Sequence, residues 1–153
     1  EIPESVIRTT LIVGFPHESD KDFEILKEFV KENKFDHLGA FTYSKEEDTK
    51  SYSMSCQVPE KLKQRRLDEI MEMQKWISLN QNKKYIDNVY ECIIESYDPE
   101  NDYYSARGYM YAPDDIDGCI LIKSEKNLEI SKVYKCKIED VDFFDIFGTI
   151  VEE

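Results

Sequence analysis

Apolar positions along this chain follow three rhythms, and the changes between them mark its elements. From Ser5 to Val13 the alternation is weak and ends in Leu11-Ile12-Val13, the texture of a parallel strand covered on both faces. Gly14-Phe15-Pro16 stops it. Ser19 and, three residues on, Asp22 make a capping-box pair, after which Phe23, Leu26, Phe29 and Val30 recur at helical spacing and predict a helix over about 20–33. His37 to Tyr43 reads as a second strand, so strand, helix and strand joined by short connections form a βαβ crossover with parallel strands. Two such strands expose unpaired edges, and the expectation is a piece cut from a larger α/β sheet.

The second rhythm follows the polar loop Ser44 to Ser55. Pro59 suits the first turn of a helix, and Leu62, Leu67, Ile70, Met71, Met73 and Ile77 carry one long helix to about Asn82. Its cluster Lys61, Lys63, Arg65 and Arg66 is expected to be a solvated face. From Asn88 onward the texture becomes short β-branched and aromatic runs: Val89–Ile94, Tyr103–Tyr111, Cys119–Ile122, Val133–Ile138 and Ile146–Val151. Five strands between Asp-, Asn-, Pro- and Gly-rich turns predict an all-β, five-stranded OB-like barrel. The expected division is therefore α/β over residues 1–83 and all-β over 84–153.

Composition narrows the class. At 153 residues and 41% hydrophobic content the chain has the makings of one ordinary folded domain or two small ones. No apolar run approaches the roughly 18–20 residues of a bilayer span, and the first residues lack the order of a signal peptide. A soluble, cytoplasmic protein is expected, without membrane association, and Glu1-Ile2-Pro3-Glu4 leading into a strand reads as a start in mid-protein. Cys56, Cys92, Cys119 and Cys136 are too widely spaced for a zinc or cluster motif and are expected to be reduced structural thiols.

Charge is uneven. Of the net −13, residues 1–83 carry −3 and residues 84–153 carry −10, with 7 basic and 17 acidic side chains in the latter. A surface of that sign repels phosphate and attracts a basic partner, so direct nucleic-acid binding is not expected of this part. Asp114, Asp115 and Asp117 form its densest acidic turn and are the candidate substrate-binding residues; they lack the ligand order of a calcium loop. Tyr103, Tyr104, Tyr109 and Tyr111 are expected to pack the barrel more than to stack on bases, and His17 and His37 to be a loop and a structural histidine.

Several segments together resemble a known family. Arg8-Thr9-Thr10-Leu11-Ile12-Val13-Gly14-Phe15-Pro16 with Glu18, then Phe35-Asp36-His37-Leu38-Gly39-Ala40-Phe41-Thr42-Tyr43-Ser44, are similar in order and spacing to the late barrel strands of the radical S-adenosylmethionine methylthiotransferases. Gln57-Val58-Pro59-Glu60, Met71-Glu72-Met73-Gln74, Arg107, Ala112-Pro113, Ile116-Asp117-Gly118 and Phe147-Gly148 extend the match over nearly the whole chain. The resemblance implies the end of a radical SAM βα barrel followed by the small barrel called TRAM. It also implies S-adenosyl-L-methionine and 4Fe-4S clusters in the intact protein, with the cluster cysteines upstream and no catalytic residue in this chain.

Strand periodicity puts Arg8, Thr10 and Ile12 on one face. The resemblance turns that face toward the cofactor, with Gly14, Phe15, Glu18 and Tyr43 completing the candidate S-adenosyl-L-methionine wall. The family usually has a second Gly where this chain has His17. Arg8-Thr9-Thr10 resembles the branch that modifies an aspartate of the twelfth small-subunit ribosomal protein. The implied partner is that basic ribosomal protein or the small subunit itself, and the acidic C-terminal part agrees in sign. Two alternatives stand beside this reading: a tRNA-modifying methylthiotransferase with an unusually acidic TRAM, and a non-enzymatic OB-like binding module. The unpaired strand edges also make self-association an expectation.

Overall fold

The computed structural model describes residues 4–113 and 116–151. They form two compact units, one up to Ile77 and one from Ser78. In the first, β1 (Arg8–Val13) and β2 (His37–Thr42) pair in parallel, Arg8 opposite His37 through Val13 opposite Thr42, with α1 (Asp20–Asn33) as the crossover. The helix starts where the capping chemistry requires. Ser19 Oγ accepts from the Asp22 amide at 3.2 Å and Asp22 Oδ2 accepts from the Ser19 amide at 2.9 Å. It ends on Lys34, whose φ of 48° is a left-handed cap.

The long helix α2 (Glu60–Asn82) begins one residue after Pro59. Val13, Phe23, Val30, Leu38 and Ile70 are buried together, with Leu11, Leu26, Leu67 and Met71 packed against them. Each such side chain contributes roughly 1.5–3 kcal/mol by leaving water. The core thus covers one face of the β1–β2 ribbon. Both strands pair only with each other among the described residues.

The second unit is a closed mixed barrel of five strands, β3 (Val89–Asp98), β4 (Tyr103–Gly108), β5 (Ile120–Ile122), β6 (Val133–Val141) and β7 (Ile146–Ile150), in the order β3-β4-β5-β7-β6. Every neighbouring pair is antiparallel except β5 with β7. Cys92, Ile94, Ala106, Ile120, Ile122, Cys136, Ile138 and Ile146 fill the interior. The strands depart from the sequence bounds for local reasons. β3 and β6 run on past Ile94 and Ile138 through register shifts that leave Glu95 and Glu139 unmatched, so the alternation changes face in mid-strand. β4 stops at Gly108 instead of Tyr111, because the Tyr111 amide turns back to the Gly108 carbonyl at 3.2 Å.

The division at Ile77 and Ser78 lies a few residues before the composition break near 84. The last turn of α2 belongs to the barrel unit: Asn82 is buried and its Nδ2 lies 3.4 and 3.5 Å from the carbonyls of Asp142 and Phe143. Among the described residues no helix is long and apolar enough to cross a membrane.

Candidate functional site

The turn after β1 is tied down by hydrogen bonds from within the loop and from α2. Gly14 takes φ +76°, and a Cβ there would stand 2.3 Å from Lys63 Cγ, so both the backbone conformation and the packing exclude a side chain. Its amide donates to Glu18 Oε2 at 2.9 Å, and the Glu18 amide returns to the Phe15 carbonyl at 3.0 Å. His17, at φ 71°, occupies a left-handed position that favours glycine, and its amide donates to the Cys56 carbonyl at 3.0 Å.

Glu18 is held from the other side by Arg66. One guanidinium nitrogen donates to Glu18 Oε1 at 2.7 Å and to the Glu18 carbonyl at 3.1 Å, while the second donates to Asp20 Oδ1 at 2.8 Å. Lys63 donates from Nζ to the Tyr43 carbonyl at 2.9 Å and passes its stem beneath Gly14. Lys63 and Arg66 are 3% and 1% exposed, which corrects the expectation of a solvated basic face for these two, while Lys61 and Arg65 are exposed as expected. The physical reason is the deficit they satisfy: a partly buried carboxylate and two chain carbonyls at the ends of β1 and β2.

The candidate cofactor residues thus separate into two groups. Gly14, Phe15, Glu18 and Tyr43 come together at the strand ends, where the Phe15 and Tyr43 rings meet edge to face at 5.2 Å. The Tyr43 hydroxyl is buried without a partner. Arg8, Thr10 and Ile12 lie on the opposite face of the ribbon from the core, level with His37, Gly39 and Phe41. That face is open. Ile12 and Phe41 are 59% and 63% exposed, and a Cβ built on Gly39 meets nothing within 4 Å. An apolar ledge beside a bare glycine, with Arg8 and Thr10 on the same face, suits a planar heterocycle carrying a polar sugar, so these residues fit S-adenosyl-L-methionine in kind.

The same test goes against an iron–sulfur cluster. Cys56 is exposed, Cys119 half-buried, and Cys92 and Cys136 lie in the barrel core. A thiol hydrogen bond to Cys92, together with burial, holds the Cys136 thiol well above its ordinary range, the reverse of a ligand's need. Among the described residues no group of three or more His, Cys, Asp or Glu side chains is placed to hold a metal.

In the barrel, Asp114 and Asp115 lie outside the described residues, and Asp117 is half-buried before Gly118. Gly118 has φ +111°, and a Cβ there would stand 2.3 Å from the Phe144 carbonyl oxygen. Asp145, which sequence reasoning passed over, anchors this turn by accepting from the Cys119 amide at 3.0 Å. Tyr111 donates to the Phe144 carbonyl at 2.9 Å, and burial, with the Asp145 carboxylate next, pushes its phenol far above the ordinary range.

Comparison with known proteins agrees with this organisation. Residues 86–151, all but the first residues of the barrel unit, match the TRAM domain family. Over 153 residues, all of it, the chain is 39% identical to the ribosomal protein uS12 methylthiotransferase RimO of Acetivibrio thermocellus. It is 44% identical over 147 residues, 96% of its length, to RimO of Thermoanaerobacter sp. (strain X514), and 43% identical over 152 residues, 99% of its length, to RimO of Clostridium botulinum (strain Eklund 17B / Type B). These alignments cover 34%, 33% and 33% of the respective relatives. The chain is a relative of the RimO methylthiotransferases from end to end, and it spans about a third of their length.

Proposed function

We propose that this chain is the closing part of a radical S-adenosylmethionine methylthiotransferase that acts on an aspartate of ribosomal protein uS12. Its first unit is the end of the βα barrel, and its second is an OB-like TRAM barrel that recruits the substrate. The observation that carries this is the end-to-end identity with RimO relatives, joined to an acidic barrel whose sign suits a basic ribosomal protein.

In this reading the open face of Arg8, Thr10, Ile12 and Phe41 receives the adenosine of S-adenosyl-L-methionine, and the Gly14–Glu18 turn shapes its border. Arg66 is a positioning residue, because two of its three hydrogen bonds fix the carboxylate and backbone of Glu18 and the third holds Asp20. Bound beside a reduced 4Fe-4S cluster, that cofactor supplies homolytic hydrogen abstraction from carbon. The cluster ligands belong to the rest of the intact protein, and the 153-residue chain alone is inactive in methylthiolation. Asp117, with Asp114 and Asp115, contributes to the field that attracts the substrate. The open ribbon, meanwhile, favours self-association of the isolated chain.

Titrating the chain against purified uS12 and against tRNA, at several salt concentrations, tests the recruitment. Binding to uS12 that weakens as salt rises is the expected result. Preference for tRNA would move the chain to the tRNA-modifying branch, and binding to neither would favour a module outside both.

A further inference from the structure

The acidic barrel gathers three of its seven basic side chains, Lys123, Lys126 and Lys135, around one groove of about 680 Å³. The groove runs between the connection that follows β5 and the adjoining parts of β6 and β7, with Leu128 and Ile150 among its apolar lining. Its composition inverts the domain around it, where the balance is −10. The Lys123 ammonium is steadied 4.9 Å from the centre of the Tyr103 ring, which limits the rotamers it loses on binding.

Strand pairing supplies the second half of the site. The parallel ladder of β5 with β7 ends at Ile122 opposite Gly148, while β6 continues to pair with β7 as far as Ile150. On its β5 side, β7 therefore runs past its partner at Ile150, whose backbone N–H and C=O face away from β6, and it lines the groove there with a short edge. Such an edge accepts an extended backbone, and alternate side chains of the incoming strand fall on opposite faces. A nucleic-acid strand meets the groove less well. Its continuous phosphates would run into the surrounding acid, and the ring nearest Lys123 is already engaged by that lysine.

We infer that this groove binds an extended acidic peptide segment, whose backbone meets the β7 edge at Ile150 and whose carboxylates are met by Lys123, Lys126 and Lys135. Glu91 and Glu125 at the same groove limit the net attraction, so the affinity is modest and specific for spaced rather than contiguous acids.

The test is a titration of the whole ¹⁵N-labelled chain with a terminally blocked Glu-Val-Glu-Val-Glu-Val peptide, its Gln-for-Glu counterpart, and a uridine hexanucleotide. Amide shifts confined to residues 123–128 and 149–151 are expected with the acidic peptide. Affinity should fall about tenfold with the Gln peptide or in the Lys123→Glu/Lys126→Glu variant, and hold in Lys123→Arg/Lys126→Arg. Both lysines are exposed, and unchanged barrel resonances verify that the variants fold. Absence of shifts at millimolar peptide, equal binding of the Gln peptide, shifts centred elsewhere, or selective binding of the oligonucleotide would each overturn the assignment.

Discussion

Replacing Arg66 by Met gives the sharpest test of how the candidate cofactor turn is held. The side chain is 1% exposed and makes three hydrogen bonds, two to Glu18 and one to Asp20. The bonds differ in weight. The Asp20 side chain is 84% exposed, so its ion pair is screened and worth a few tenths of a kcal/mol. The Glu18 side chain is 13% exposed, and without Arg66 its carboxylate keeps only the Gly14 amide in a poorly hydrated site. Removing one partner of such a pair costs about 3 kcal/mol, and a Met of similar length recovers little of it. Urea unfolding followed by Trp76, the single tryptophan and a residue of the first unit, reads the loss locally. At a slope of about 1 kcal/mol per M for so small a unit, the Trp76 transition should move to the lowest urea concentrations. Asp20→Asn should barely shift it. In a double-mutant cycle with Glu18→Gln, Arg66 and Glu18 should couple by about 2 kcal/mol. An Arg66→Met loss below about 1 kcal/mol, no greater than a surface ion pair contributes, would refute the account of a buried clamp.

Gly14→Ala should cost about 2–3 kcal/mol by the same probe, because the left-handed backbone and the Lys63 stem both oppose a Cβ. Ser19→Ala should destabilise α1 by about 1 kcal/mol. Hydrogen bonds from the Ser19 side chain and then its amide hold the Asp22 carboxyl below its ordinary value of 3.8. The stabilisation is therefore complete above that value and lost as pH falls through the lower folded one; NMR titration should find the Asp22 midpoint below 3.8, and higher in Ser19→Ala. Thiol labelling of the native chain should modify Cys56 rapidly and Cys119 slowly, and leave Cys92 and Cys136 unmodified until the barrel unfolds.

The crossover, its capping box and the five barrel runs were legible because they rest on local chemistry: Ser19 and Asp22 three apart, Phe23 to Val30 at helical spacing, and β-branched runs between turns. The bulges were not. A single unmatched Glu95 or Glu139 shifts which residues face inward, so strict alternation loses β3 and β6 midway although the ladder continues. The clamp was misread for a related reason. The most buried stripe of α2 runs Lys63, Arg66, Ile70, Gln74, Ser78 and Asn82 at helical spacing, yet only one of these is apolar. An apolar count therefore tracks the neighbouring stripe of Leu67, Met71 and Ile77, and long polar side chains that satisfy distant carbonyls look solvated until the strand ends they meet are in place. The open face of Arg8, Thr10 and Ile12 follows from period two alone, whereas the role of Lys63 beneath Gly14 needed the tertiary structure.

The position of β7 in the barrel has a consequence for how the unit comes into being. Among the described residues it is the last strand, and it closes both the parallel seam with β5 and the antiparallel seam with β6. Until it arrives, β5, three residues long, has only β4 beside it. As the chain leaves the ribosome, the cylinder cannot be sealed strand by strand; β7 completes two seams at once, one of them non-local, and β5 keeps an unpaired edge until then.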